Sequence, residues 1–373
     1  MPYTYSTVPT HPRQAVFPRV NGLHHLGLYV GDARQAAYYY QMAFGFEPIA
    51  FMGLETGVRD RASIALKQGR VFLTLTSSLV PDSDASNHIY QHGDGVKELA
   101  FSVPDADQAF RAAVQRGAQP LLDPTEYRDE HGTIRKASVA GRGYLVHSFV
   151  ETEQYRGVFL PPYRSLNGAA RESETGIMAL DHIAFGIESG QLDDWCAYSE
   201  NVLGFQISHR EDIATGRSSM VSRVLQDSSG TIRFPMMEPG AGVRRSQIEE
   251  YLEYNRGSGV QHIALLSEDI FKTVRILKAR GVEFLSTPDA YYDMLEKRAG
   301  QMHEDLGSLR ELQILTDRDD SGYLLQIFTK PLQSRPTYFI EIIQRKGATG
   351  FGAGNIRALF EAVEREQALR GNL

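Results

Sequence analysis

The sequence predicts an α+β protein of two domains, each a curled mixed sheet with helices on its outside. Three internal echoes in the 373 residues carry that expectation. Leu23-His24-His25-Leu26-Gly27-Leu28, a helical stretch and Phe44-Gly45-Phe46 open the first half, and Leu180-Asp181-His182-Ile183-Ala184-Phe185, a helical stretch and Leu203-Gly204-Phe205 open the second. HGDGVKELAF (His92 to Phe101) pairs with RGSGVQHIAL (Arg256 to Leu265), each followed by an Asp, a helix and an Arg-Gly turn. GYLVHSF (Gly143 to Phe149) pairs with GYLLQIF (Gly322 to Phe328). A strand–helix–strands unit thus occurs twice per domain.

The elements follow locally. ASIALKQGRVFLTLT is β-branched and aromatic around a turn at Gly69, which reads as two strands of a hairpin. FKTVRILKARG places apolar residues at helical spacing and stops at Gly281. Residues 1–18 read as a flexible tail without the apolar core of a signal peptide. Residues 19–160 form the first domain, and 161–178, rich in Pro, Asn, Gly, Ser and Glu without periodicity, suit a linker. Residues 179–373 form the second domain. It ends in a helix over 355–370, capped by Asn355, with Ile356, Leu359, Phe360 and Val363 on one stripe.

Composition excludes several classes. A hydrophobic fraction of 42% with 23% charged residues is that of a globular chain. A net charge of −7 without a basic stripe argues against nucleic acid. No stretch approaches the roughly 18 apolar residues of a membrane span. Cys196 is the single cysteine, so no intramolecular disulfide forms, and a reducing, cytoplasmic setting is expected. A G-x-S-x-G elbow is missing, and the glycine-rich Gly347 to Gly354 run precedes the last helix of the chain rather than a βαβ unit. Covalent nucleophilic catalysis and dinucleotide binding are both disfavoured.

His182, His262 and Glu341 stand out because DHIAFG, VQHIAL and YFIEIIQR each read as strand. Two imidazoles and one carboxylate on one face of a metal leave positions open for O2 and a chelating substrate, as at non-haem Fe(II) sites. With eleven histidines in the chain such a triple could arise by chance; the alternative is an edge strand that turns Glu341 to solvent. Burying Glu341 unpaired among Phe339, Ile340, Ile342 and Ile343 would be costly, and a metal removes that cost. The first half is incomplete: His25 matches His182, but Glu98 stands where His262 would be. His25 therefore reads as a core histidine. His88 and His92 fall in a presumed turn, and His131, His209 and His303 read as solvated.

SGVQHIALLSEDI, FLSTPDAYYDML and the stretch from Leu315 to Asn355, LTDRDDSGYLLQIFTKPLQSRPTYFIEIIQRKGATGFGAGN, together with ALFEAVEREQALRGNL, resemble the 4-hydroxyphenylpyruvate dioxygenase and 4-hydroxymandelate synthase family. The resemblance implies two vicinal-oxygen-chelate domains, each an open curled β-barrel of paired βαβββ units, with a C-terminal gating helix. It implies Fe(II) on His182, His262 and Glu341, an aryl α-keto acid and O2 as partners, and a homo-oligomer. It also implies oxidative decarboxylation at the iron centre, with no separate acid or base. Ser222, Pro235, Gln247, Gln261 and Gln326 match polar and shaping positions of the dioxygenase pocket, and Phe328, Phe351, Asn355, Ile356 and Met237 would complete it.

Two positions depart from the dioxygenase pattern. Phe234-Pro235-Met236-Met237-Glu238 carries Met237 where the family's FP-x-N-E has an amide, and Gly354-Asn355-Ile356 carries Ile356 where the dioxygenases have Phe. The synthases have isoleucine at both. Losing the amide removes a donor and an acceptor that could steer the substrate. The two departures favour benzylic hydroxylation of 4-hydroxyphenylpyruvate to 4-hydroxymandelate. The alternatives are ring attack giving homogentisate, another α-keto acid, catechol cleavage, or a ligand-binding module without catalysis.

Overall fold

A computed structural model of the chain describes residues 17–166, 174–214, 219–242, 245–293, 295, 303–352, 355, 358, 363 and 371. Strands β1 (Gly22–Tyr29), β2 (Glu47–Met52), β3 (Arg61–Gln68), β4 (Val71–Ser78), β5 (Gly95–Ser102), β6 (Pro120–Asp129), β7 (Gly132–Ala140), β8 (Val146–Glu151) and β9 (Arg164–Ser165) make one sheet, in the order β6-β7-β8-β5-β1-β4-β3-β2-β9. The second sheet contains β10 (Ile177–Gly186), β11 (Gln206–Ala214), β12 (Ser219–Gln226), β13 (Arg233–Pro239), β14 (Gly259–Ser267), β15 (Leu315–Asp319), β16 (Gly322–Phe328) and β17 (Phe339–Lys346), in the order β11-β12-β13-β10-β14-β17-β16-β15.

Each sheet is two βαβββ units joined through their first strands. β1 pairs antiparallel with β5, and β10 with β14, while the last strand of each unit returns parallel to a first strand. The expected α+β architecture of two curled sheets is what the chain adopts. Arg164–Ser165, within the segment read as a linker, adds a short edge to the first sheet beside β2.

The equivalent helices are α1 (Ala33–Tyr39), α3 (Ala106–Gln115), α4 (Leu192–Leu203) and α6 (Ile270–Ala279), with α2 (Asp84–His92) and α5 (Gln247–Asn255) leading into β5 and β14. Asp32, Asp105 and Asp269 cap α1, α3 and α6 by accepting the amide three residues on. Gly117 and Gly281 take positive φ after α3 and α6, where a side chain would be strained. One apolar core runs through both sheets, and Phe101, Phe149, Phe205 and Phe234 link its halves.

Two readings need correction. Gly143–Phe149 leads into β8, the last strand of its unit, whereas Gly322–Phe328 is the next-to-last strand. The true counterpart of β8 is β17. Similar composition made two non-equivalent strands look alike, and only pairing distinguishes them. His88 and His92 lie on α2, not in a turn: Ser83 and Ser86 form a capping box, and His88 is buried.

Candidate metal centre

β10 and β14 are neighbours, with His182 facing Ala264 and Ala184 facing His262. β17 lies on the other side of β14, with Glu341 beside Ala264. Cross-strand partners share a face of the sheet, so the three side chains converge. His182 Nε2 is 3.2 Å and His262 Nε2 3.5 Å from Glu341 Oε2. One ligand atom from each residue lies within 4.8 Å of the others, and all three residues are buried. Among the described residues this is the one group of at least three His, Cys, Asp or Glu side chains so arranged. β17 lies inside its sheet, so the edge-strand alternative for Glu341 does not hold.

The residues fit a divalent cation. Glu341 Oε1 is buried and accepts no hydrogen bond, which is costly for a carboxylate oxygen without a ligand. Bonds of about 2.1 Å at right angles place neighbouring ligand atoms about 3 Å apart, close to the spacing here. Burial would raise the Glu341 carboxyl, but the two imidazoles outweigh it and hold the group below its ordinary range. Burial pulls His262 down and Glu341 only partly offsets this. At His182 burial pulls the same way, but Glu341 and Asp181 overcome it.

The rear nitrogens are also held. His182 Nδ1 lies 2.8 Å from Asp181 Oδ1, and His262 Nδ1 lies 3.2 Å from Gln261 Oε1. Each contact turns Nε2 toward the cluster. Arg345 donates to both oxygens of Asp181, from Nε at 2.7 Å and Nη2 at 2.8 Å, and from Nη1 to the Gly350 carbonyl at 2.6 Å. Its guanidinium lies over Phe351, whose ring meets His182 edge-on at 5.1 Å. Asp181 and Arg345 were not singled out from sequence. The carboxylate directly before a candidate histidine was the available signal for Asp181.

A narrow cavity of about 40 Å³ opens at the cluster. With His182, His262 and Glu341 it is lined by Ser222, Pro235, Met237, Gln247, Gln326, Phe328 and Phe351, all expected from the sequence, and by Glu211 and Val224, which were not. Gln261 is not among the lining residues; its amide serves His262 and a neighbouring pocket against Gln247 and Phe339. Asn355 is fully buried elsewhere. Its amide donates to Tyr291 Oη at 2.7 Å and the Thr316 carbonyl at 2.9 Å, and accepts from the Asp317 amide at 3.2 Å. It therefore fastens the start of the terminal helix to β15. Ile356 lies outside the described residues, as does most of the 355–370 helix.

Paired βαβββ sheets with a two-histidine, one-carboxylate cluster at the centre of one sheet define a metal-dependent enzyme of the vicinal-oxygen-chelate type. Residues 22–142 and 179–327 match the Glyoxalase/Bleomycin resistance protein/Dioxygenase superfamily. The chain is 41% identical over 397 residues to a 4-hydroxyphenylpyruvate dioxygenase of Aspergillus fumigatus, covering 99% of this chain and 98% of that one. To one of Caenorhabditis elegans it is 44% identical over 363 residues, covering 94% and 92%. A triple mutant of 4-hydroxymandelate synthase from Streptomyces coelicolor superposes with a TM-score of 0.86 at 38% identity, covering 93% and 99%. The chain belongs to the 4-hydroxyphenylpyruvate dioxygenase and 4-hydroxymandelate synthase family, and is a dioxygenase of that family.

Proposed function

We propose that the chain holds Fe(II) on His182, His262 and Glu341 and converts 4-hydroxyphenylpyruvate and O2 to homogentisate and carbon dioxide. The orphaned Glu341 Oε1, buried between two imidazoles at a cavity, carries the metal assignment. The name shared by the curated relatives supports the ring-attack product, the alternative to the hydroxymandelate that the sequence favours. Bound Fe(II) would chelate the keto acid through the positions the three ligands leave open and activate O2 beside it.

The chain supplies position and seclusion. Ser222, Gln247 and Gln326 offer hydroxyl and amide groups, all on buried residues, to the substrate's oxygens. Phe328 and Phe351 supply aromatic surface, and Pro235, Met237 and Val224 add apolar wall. Phe351 lines the cavity from the turn between Gly347 and Gly352, both at positive φ. No helix among the described residues is long and apolar enough to cross a membrane, and buried Cys196 suits a reducing cytoplasm.

A second reading, benzylic hydroxylation to 4-hydroxymandelate, draws on the likeness to the Streptomyces coelicolor protein and on Met237, which lines the cavity in place of the amide. The deciding experiment loads the protein anaerobically with Fe(II), adds 4-hydroxyphenylpyruvate and then O2, and separates the products by chromatography. Homogentisate is expected. Hydroxymandelate would transfer the reaction to the second reading, and iron binding without either product would move the substrate to another keto acid.

A further inference from the structure

Glu211 is the one cavity-lining ionisable side chain outside the metal cluster. It stands opposite Ser222 on β12, which stands opposite Met237 on β13, which pairs with Gly186 on β10. These positions form one row on the face that carries the metal cluster. The next residue shows what the ordinary role of an acid on β11 looks like. Asp212 points to the other face and takes Arg223 Nη1 at 3.2 Å. Glu211 has no such cation or hydrogen-bond donor among the described residues. Burial pushes its carboxyl up, and Asp317 adds to this against His209. Gln326 and Phe328 on β16 line the same cavity as Glu211, so the curl of the sheet brings its two ends toward each other and sets Glu211 at the seam.

Its place on the sheet defines its partner. β11 is three strands from β10, so Glu211 lines the cavity from a strand remote from the three that carry the cluster. A keto acid held at the cluster would extend its far end across Val224, Pro235 and Met237 toward Glu211. Those three side chains have no strong hydrogen-bonding group, so Glu211 and Ser222 are the polar groups left on that wall.

We propose that Glu211 is a specificity-determining residue whose carboxyl accepts a hydrogen bond from a donor at the end of the substrate remote from the α-keto acid, the phenolic hydroxyl in 4-hydroxyphenylpyruvate. It thereby supplies, from a different strand, polar contact that Met237 cannot make. An anionic group at the same end would be rejected by like charge. The inference rests on the keto-acid reading under Proposed function.

The test compares 4-hydroxyphenylpyruvate with phenylpyruvate, which lacks the hydroxyl, in wild type, Glu211→Gln and Glu211→Val. Two readouts are taken: kcat/KM from O2 consumption, and anaerobic calorimetric affinity in Zn(II)-substituted protein, which needs no turnover. Wild type should prefer the hydroxylated acid by about 10–100-fold, the ratio that one hydrogen bond to a charged group supplies. Glu211→Val should reduce that ratio to near unity, through KM and affinity rather than kcat, and Glu211→Gln should retain an intermediate ratio. An unchanged ratio in Glu211→Val, by both readouts, overturns the proposal and leaves Glu211 a solvated group at the seam. Wild type that binds and oxidises neither acid overturns the keto-acid reading itself, and this inference with it.

Discussion

The two sheets share a register but do different things with it. In the C-terminal sheet His182, His262 and Glu341 leave a carboxylate oxygen unsatisfied. In the N-terminal sheet the same three positions hold His25, Glu98 and Ser148: His25 faces Ala100, Gly27 faces Glu98, and Ser148 lies beside Ala100. Lys136, which occupies the place of Gln326, reaches Glu98 Oε1 at 2.7 Å. Ser148 donates to the same carboxylate, and His25 Nε2 lies 3.7 Å from its other oxygen. An ammonium thus sits where the other sheet would hold a cation. Phe159 packs edge-on to His25 at 5.3 Å, and Tyr163 Oη bonds Ser63, the counterpart of Ser222, at 2.7 Å, so the space is filled. Duplicated backbone fixes where a metal could go, and a few side chains decide whether one does.

The sharpest way to break the comparison is to write the N-terminal residue into the C-terminal site. Glu341→Ser should reduce bound iron from near stoichiometric to near zero and turnover to background, with circular dichroism unchanged. Retained iron would show that the cluster is not the metal centre. The reverse dependence should appear at Lys136. Lys136→Met leaves the Glu98 carboxylate without its ammonium and should cost about 2–3 kcal/mol, allowing for the partial exposure of the pair. Lys136→Met combined with Glu98→Gln should recover most of that in urea unfolding, while iron content stays at the wild-type level. A single variant as stable as wild type would remove the ion-pair account.

A smaller effect is expected behind the metal. Asp181→Asn weakens the hold on His182 Nδ1 and on Arg345 without touching the cation. Loss of such a supporting contact typically costs 10–100-fold in metal affinity, about 1.4–2.8 kcal/mol. Competition with a chelator reads it directly, and an affinity equal to wild type would reduce Asp181 to a packing role.

How much of this was legible in the sequence follows from the range of the interactions. The repeat and the strands that carry His182, His262 and Glu341 were legible because strand periodicity and the βαβββ order are local signals, and they placed Glu98 correctly against His262. The third echo misled because β8 and β16 share composition but not pairing. Gln261 and Asn355 show a second limit: likeness of position does not give the direction of a side chain, and both amides bond to neighbouring residues rather than line the cavity. Asp181 and Arg345 meet across 164 residues, and Glu211 reaches the cavity only through the curl that brings the sheet's edges together. Periodicity reports none of these long-range meetings.

Acid should separate the halves as well. His147 is buried in the N-terminal sheet, and burial holds it down at about 4; His24 and His88 are likewise pushed down to about 3, burial being the larger cause in each. The unfolded chain takes up these protons near pH 6.5, before the folded chain does. Unfolding is therefore favoured progressively as pH falls below about 6.5, and each histidine's contribution stops growing only at its folded value. For His147 alone the difference between pH 7 and pH 5 amounts to about 2 kcal/mol, from about 1.5 pH units at 1.36 kcal/mol each. Urea unfolding at the two pH values should show this loss, and His147→Gln, which cannot take up the proton, should shrink it by about the same amount. An undiminished pH dependence in His147→Gln would mean that His147 is charged or solvated in the folded chain, and that the acid sensitivity of the N-terminal sheet has another source.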